Sequence, residues 1–280
     1  MNLDDINISR LAPSLENRDN VWHPATAKKT EISYPEMGNE LMAEVEDDSF
    51  WFSHRNHVIL QTLKLFPPQG PLIDIGGGNG FVAKALQNAG LPVIVLEPGL
   101  NGIKKAKARG IQHLICSTFE DADFLPGKLP SAGLFDILEH IKNDDELLAK
   151  LSTAMAPGKR LYLTAPALNA LWSAEDIHAG HFRRYSLQSL GKQLQKYGLT
   201  IEFSSYFFSL LPVAIWLFRT VPSRLGFYKK GLTVNPRQHR PPLVLNSLTK
   251  WLSRQELTIL AQAKPLFCGS SCVIVARKKG

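Results

Sequence analysis

The sequence predicts an α/β protein: a doubly wound, mostly parallel seven-stranded sheet, with cap helices ahead of it and a helical lid inserted near its end. Three observations carry that expectation. Short, nearly continuous apolar runs, the pattern of strands buried on both faces, alternate with amphipathic stretches of helical length. One such run, Leu72-Ile73-Asp74-Ile75, passes directly into Gly76-Gly77-Gly78-Asn79-Gly80. The next run, Val93-Ile94-Val95-Leu96, ends in Glu97.

Each element follows in order. Residues 1–50 hold eleven Asp/Glu against four Lys/Arg, and 1–36 reads as a flexible acidic tail. Cap helices are expected over 40–66, stopped at Pro67-Pro68 because proline cannot continue a helix. Strands are expected at 71–76, 92–97, 112–116, 132–137 and 160–165, with helices at 79–89, 100–109, 144–156 and 186–197. Strands at 199–206 and 271–277 complete the sheet. The cap and core thus occupy 37–206, a lid insertion 207–268, and the last strand with a basic tail 269–280. With 280 residues and 44% hydrophobic content the chain has ample material for one large core. Its acidic, polar start lacks a signal-peptide pattern, and Cys116, Cys268 and Cys272 form no paired framework. A cytoplasmic protein with three reduced core thiols is expected.

Glycine tolerates positive φ and lets a ligand approach the backbone, so Gly76, Gly78 and Gly80 mark a binding turn. Glu97, at the carboxyl end of the neighbouring strand, can accept both hydroxyls of a ribose. This layout suits an adenosyl cofactor. The spacing is G-x-G-x-G, not the dinucleotide G-x-G-x-x-G, and Asp74 would repel a pyrophosphate while suiting the ammonium and sulfonium of S-adenosylmethionine. A nicotinamide-dependent oxidoreductase is therefore a minor alternative, beside a non-catalytic cofactor-binding or membrane-docking protein.

The stretch Asp74-x-Gly76-x-Gly78-x-Gly80 resembles motif I of the class I S-adenosylmethionine-dependent methyltransferases. Leu134-Phe135-Asp136-Ile137-Leu138-Glu139-His140-Ile141 resembles the fourth-strand motif of the type 11/12 subgroup, which includes ubiquinone-type O-methyltransferases. Lys159 to Pro166 is similar to the fifth strand, His181-Phe182-Arg183-Arg184-Tyr185-Ser186 to the segment after it, and Phe50 to Asn56 to the cap helix. Ser131-Ala132 departs from the pattern, standing where an acidic residue often opens strand four.

The resemblance implies a Rossmann-like fold whose last strand runs antiparallel beside the sixth, S-adenosylmethionine as cofactor, and methyl transfer to a small-molecule acceptor. It places Gly76, Gly78 and Gly80 against methionine and ribose, Glu97 on the ribose diol, Thr118 and Phe119 on adenine, and Arg55 on the cofactor carboxylate. His140 becomes the first candidate base and His181 the second. Asp136, Glu139 and His140, with His181 or His178, also resemble a divalent-metal set. No nucleic acid is expected, since Asp136-Ile137-Leu138-Glu139-His140 stands where base methyltransferases carry Asp/Asn-Pro-Pro-aromatic.

Residues 215–280 carry twelve Lys/Arg against Glu256 alone. Just before and into this basic quarter, Phe207 to Phe218 is almost wholly apolar, yet it falls short of the roughly 20 residues that a membrane span requires. Two readings stand: a lid packed on the protein's own core, or an element lying in an anionic membrane interface with its cations at headgroup level. The acceptor is accordingly expected to be lipophilic or a natural-product scaffold, methylated on oxygen or carbon.

Overall fold

The computed structural model describes residues 6–25, 49–227 and 243–280. Seven strands fall where the apolar runs place them: β3 (Leu72–Ile75), β4 (Val93–Leu96), β5 (His113–Ile115), β6 (Ser131–Phe135), β7 (Arg160–Pro166), β8 (Leu199–Phe207) and β9 (Ser271–Lys278). Two more, β1 (Leu15–Arg18) and β2 (Val21–Pro24), lie in the segment expected to be a flexible tail. The reason is tertiary. Asp19 and Asn20 both take positive φ, 53° and 63°, and so close a tight hairpin. Val21 and Trp22 then pair in parallel with Leu114 and Ile115, covering an otherwise open sheet edge. The remainder of that tail, the first part of the cap (40–48) and residues 228–242 of the lid insertion lie outside the described residues.

The sheet order is β1-β2-β5-β4-β3-β6-β7-β9-β8. Strands β3 to β7 are parallel, and β9 runs antiparallel between β7 and β8. The order reverses at β3, whose neighbours β4 and β6 diverge to either side; ligands in open α/β sheets lie over the strand carboxyl ends at such a point.

Alternate side chains feed two apolar layers. Ile73, Ile75, Ile94 and Leu96 enter one, which includes Leu147, Leu151 and Leu190 of the helices α4 (Asp144–Ala154) and α6 (Leu187–Lys196). Leu72, Val93 and Val95 enter the other, beneath Val58, Ile59 and Leu63 of the cap helix α1 (Phe50–Leu65) and Val82 and Leu86 of α2 (Phe81–Asn88). Helix α3 (Leu100–Ala108) adds Ile103 and Ala106 to this second layer. Burial on both faces explains why the strands read as unbroken apolar runs. Cys116 and Cys272 are core thiols as expected, but Cys268 is exposed, because it sits in the turn leading into β9 and not on the strand itself.

After β8 the chain forms α7 (Leu211–Ile215), a π-helical turn (Trp216–Thr220) and α8 (Val221–Arg224), and it returns through α9 (Leu243–Ala261). Helix α9 packs on α1 through Glu256. This buried carboxylate lies 3.0 Å from His54 Nε2 and accepts the amides of Phe208 (2.8 Å) and Ser209 (3.1 Å) and the Ser209 hydroxyl (3.0 Å). Burial works to raise its pKa, but the bonds from His54, Ser209 and Phe208 prevail and hold it below the ordinary value. Among the described residues no helix is long and apolar enough to cross a membrane.

Candidate functional site

The turn after β3 is built from left-handed glycines: φ is +70° at Gly76, +51° at Gly78 and +73° at Gly80. A Cβ on Gly76 would come within 2.5 Å of Ile137 Cδ1, and one on Gly80 within 2.9 Å of Ala106 Cβ. Gly77, which the glycine pattern did not single out, is constrained less severely: it lacks the positive φ, but its Cβ would crowd Asp74 Oδ2 at 3.0 Å and Val95 at 3.1 Å. Glu97 braces the turn. Its carboxylate accepts the Gly78 amide (3.0 Å) on one oxygen and the Gly99 amide (2.8 Å) on the other.

Asp74 is buried on the cap side of β3, and its Oδ2 has no hydrogen-bond partner. Burial raises its pKa from 3.8 to about 7; the Arg55 charge opposes that rise and Glu97 adds to it. Arg55 comes from α1 and lies over the rings of Trp51 and Phe52, 5.1 and 5.2 Å from their centroids. It donates from Nη1 to Asp136 Oδ2 at 2.7 Å, while its buried Nε has no partner.

Beyond β6 the backbone turns at Asp136, whose φ of +57° is tolerated by aspartate better than by most residues. A 3-10 turn, Leu138–His140, follows. Glu139 is fully buried with Oε2 unpartnered; burial, then the neighbouring Asp136 charge, pushes its pKa well above the ordinary value. Burial also depresses the His140 imidazole to about 4, with His181 adding to the effect. The two imidazoles meet edge to face, 4.8 Å between centroids.

His181 lies just past α5 (Ala174–His178), and its Nδ1 is 3.0 Å from Asp176 Oδ1. Asp176 is itself clamped by Arg184, through Nε at 2.8 Å and Nη2 at 3.1 Å, and by the Ser173 amide at 2.9 Å. Burial would raise the Asp176 pKa, but the bonds from His181 and Arg184 bring it below the ordinary value. Sequence reasoning missed Asp176 and Arg184. The available signal was Ser173-x-x-Asp176, a helix-capping pattern at the start of α5.

The expected site residues therefore divide into groups. Arg55, Asp74, Gly76, Gly78, Gly80 and Glu97 converge on the carboxyl ends of β3 and β4. Glu139, His140 and His181 bring a donor atom each within 4.8 Å of one another. Asp136 does not join that cluster, because Arg55 holds its carboxylate. Thr118 receives the Asp121 amide on its hydroxyl, 3.1 Å away, in the loop after β5. Phe119 is a buried core aromatic packed 5.4 Å from Phe124, so the ring expected against adenine is turned to the core. His178 is bound to its own helix, Nδ1 lying 2.6 Å from the Ala174 carbonyl.

A glycine turn at the switch point of a parallel sheet, closed by an antiparallel last strand and braced by a carboxylate on the adjacent strand, defines a Rossmann-like domain of the methyltransferase class. Residues 51–202, more than half the chain, match the methyltransferase-domain family, and the chain belongs to it. No curated protein matches the sequence. Among solved structures, phosphoethanolamine N-methyltransferase 2 of Haemonchus contortus, in complex with S-adenosyl-L-methionine, is 17% identical with a TM-score of 0.55. The match covers 89% of this chain and 58% of that one, so the chain spans less than two thirds of that enzyme. A possible histamine N-methyltransferase of Thermotoga maritima is 16% identical, with a TM-score of 0.55 and coverage of 88% and 100%. A putative methyltransferase of Haloferax volcanii, in complex with the Trm112 activator, is 13% identical, with a TM-score of 0.55 and coverage of 88% and 94%. At these identities the likeness is one of fold.

Proposed function

We propose that the protein is an S-adenosylmethionine-dependent methyltransferase acting on a small, lipophilic or natural-product acceptor, at oxygen or carbon. The observation that carries this reading is the buried pair at the glycine turn: the unpartnered Asp74 Oδ2 with the Arg55 charge close enough to influence it. An ammonium beside Asp74 gives its carboxylate the partner that Oδ2 lacks, and a carboxylate beside Arg55 can take the Nε that the Asp136 ion pair leaves unbonded, the arrangement a free amino-acid end requires. Glu97 accepts the ribose hydroxyls, and Thr118 in the loop after β5 borders the adenine.

S-Adenosylmethionine bound there supplies a methyl group on a sulfonium, so the chain's own work is to align the acceptor, exclude water and remove a proton where the acceptor carries one. What favours His181 for that last task, ahead of His140, is Asp176. The aspartate accepts Nδ1–H, which leaves Nε2 as the basic nitrogen, and it stabilises the imidazolium that forms. His140, depressed to about 4, stays neutral beside it and is too weak a base to compete near neutral pH.

Calorimetry with S-adenosylhomocysteine and with NADH tests the cofactor. Micromolar binding of the first and none of the second is expected, and the opposite result would overturn the assignment.

A second reading of the rim rests on the three donors within 4.8 Å and the unpartnered Glu139 Oε2. A carboxylate and two imidazoles suit a divalent ion, which would polarise a pair of acceptor oxygens. Glu139, His140 and His181 would hold it. Thermal melts in EDTA and in added Mg²⁺, Mn²⁺ or Zn²⁺ decide this. A metal-specific rise in melting temperature that is lost in Glu139→Gln supports the site, and identical melts in all conditions exclude it.

A further inference from the structure

We infer that the outer face of the lid docks on an anionic membrane surface. Its inner face is bonded to the protein at Arg219, Thr220 and Ser223. Thr220 Oγ1 donates to the Leu171 carbonyl (3.1 Å), the Ala174 amide to Ser223 Oγ (3.0 Å), and Arg219 pairs with Glu175 (2.6 Å). These bonds fasten the lid to the segment that carries Asp176 and His181. The outer face is apolar and open: Phe218 is 77% exposed, Phe227 75%, Val213 66% and Trp216 45%, with Leu217 and Leu225 beside them in the chain. Scattered exposed apolar residues need no explanation, but a run of this kind on one short element marks an interaction surface.

Charge selects the partner. Between Glu202 and Glu256 the sequence contains eight Lys/Arg and not one Asp or Glu. Large aromatic and aliphatic side chains in a stretch with this excess of positive charge match a bilayer whose headgroups are anionic: the rings enter the acyl boundary while the net positive charge is drawn to the phosphates. The apolar helical run from Leu211 to Arg224 falls short of the roughly 20 residues that a span requires, so it lies on the surface. Docked in this way, it brings the rim at His181 to the interface, where an amphiphilic acceptor could be taken directly from the lipid phase. Only that last step rests on the methyltransferase reading; the docking does not.

The test needs neither cofactor nor acceptor. The full chain is sedimented with phosphatidylcholine vesicles and with vesicles containing phosphatidylglycerol, at low salt and at 0.5 M salt. Binding to the anionic vesicles is expected, falling steeply with salt, with a blue shift of tryptophan emission that disappears in Trp216→Phe. The double variant W216S/F218S alters exposed residues only, so its melting temperature should be unchanged while vesicle partitioning drops about tenfold or more. Absence of binding to anionic vesicles at low salt overturns the proposal. So does binding that the double variant leaves intact. So does a stable dimer in solution that the double variant dissolves, since a second copy of the chain would then be what covers this face.

Discussion

Asp74 makes cofactor affinity depend on pH, with a sign and size that follow from the geometry. In the ligand-free protein its pKa stands near 7, chiefly because burial disfavours the charge. The ammonium of S-adenosylhomocysteine needs the carboxylate, and once bound it returns the group to about 4, the ordinary range. Binding is therefore tight above pH 7 and must release a proton below it. Between pH 8 and pH 5 the dissociation constant should rise about a hundredfold, roughly 2.7 kcal/mol. The same group acts in the opposite direction on the empty protein. A carboxyl whose pKa is raised by folding binds its proton more tightly in the folded state, so stability falls as pH climbs from about 4 through 7. Asp74→Asn should thus stabilise the ligand-free protein at pH 8, by up to about 4 kcal/mol, while weakening cofactor binding and flattening its pH dependence. Titration calorimetry at pH 5, 6, 7 and 8 in buffers of differing ionisation heat reads affinity and proton release together. A dissociation constant constant across that range in the wild type, or a pH dependence retained in Asp74→Asn, would refute the role given to this residue.

Glu97→Ala should weaken S-adenosylhomocysteine by ~1.5–3 kcal/mol through loss of charge-assisted hydrogen bonds, and unchanged affinity by calorimetry would remove Glu97 from the ribose. His181→Ala should lower turnover by roughly 10²–10⁴ with cofactor affinity intact, whereas a loss confined to binding would make it a positioning residue only. Glu256→Gln breaks the buried contact between α9 and α1, so it should cost ~3–5 kcal/mol at pH 7 in denaturant unfolding. Because the Glu256 pKa is held down by folding, its stabilisation is complete above about 4.5 and disappears as pH falls through the lowered value. The gap between variant and wild type should therefore close in acid, and a constant gap would show that the effect is one of packing.

Chain-local physics made the parallel core legible from the residues alone. Strands buried on both faces must be apolar throughout, helices between them must be striped, and a backbone turning at positive φ beneath a ligand calls for glycine. Those constraints act within a few residues, which is why β3 to β9, the glycine turn and Glu97 stood at their observed places. The partnerships across the fold did not reveal themselves in that way. An acidic segment looked like a solvated tail until the open edge of β5 gave Val21 and Trp22 a strand to pair with. Asp136 looked like a member of the Glu139 cluster, but Arg55, 81 positions earlier, captures its carboxylate. The Asp176 that orients His181, the Glu256 that holds the cap to the lid and the outward turn of Phe218 likewise depend on which faces the topology brings together. Sequence records that a side chain is charged or apolar; whether that charge is paired, or that apolar surface covered, is settled only when residues far apart along the chain meet.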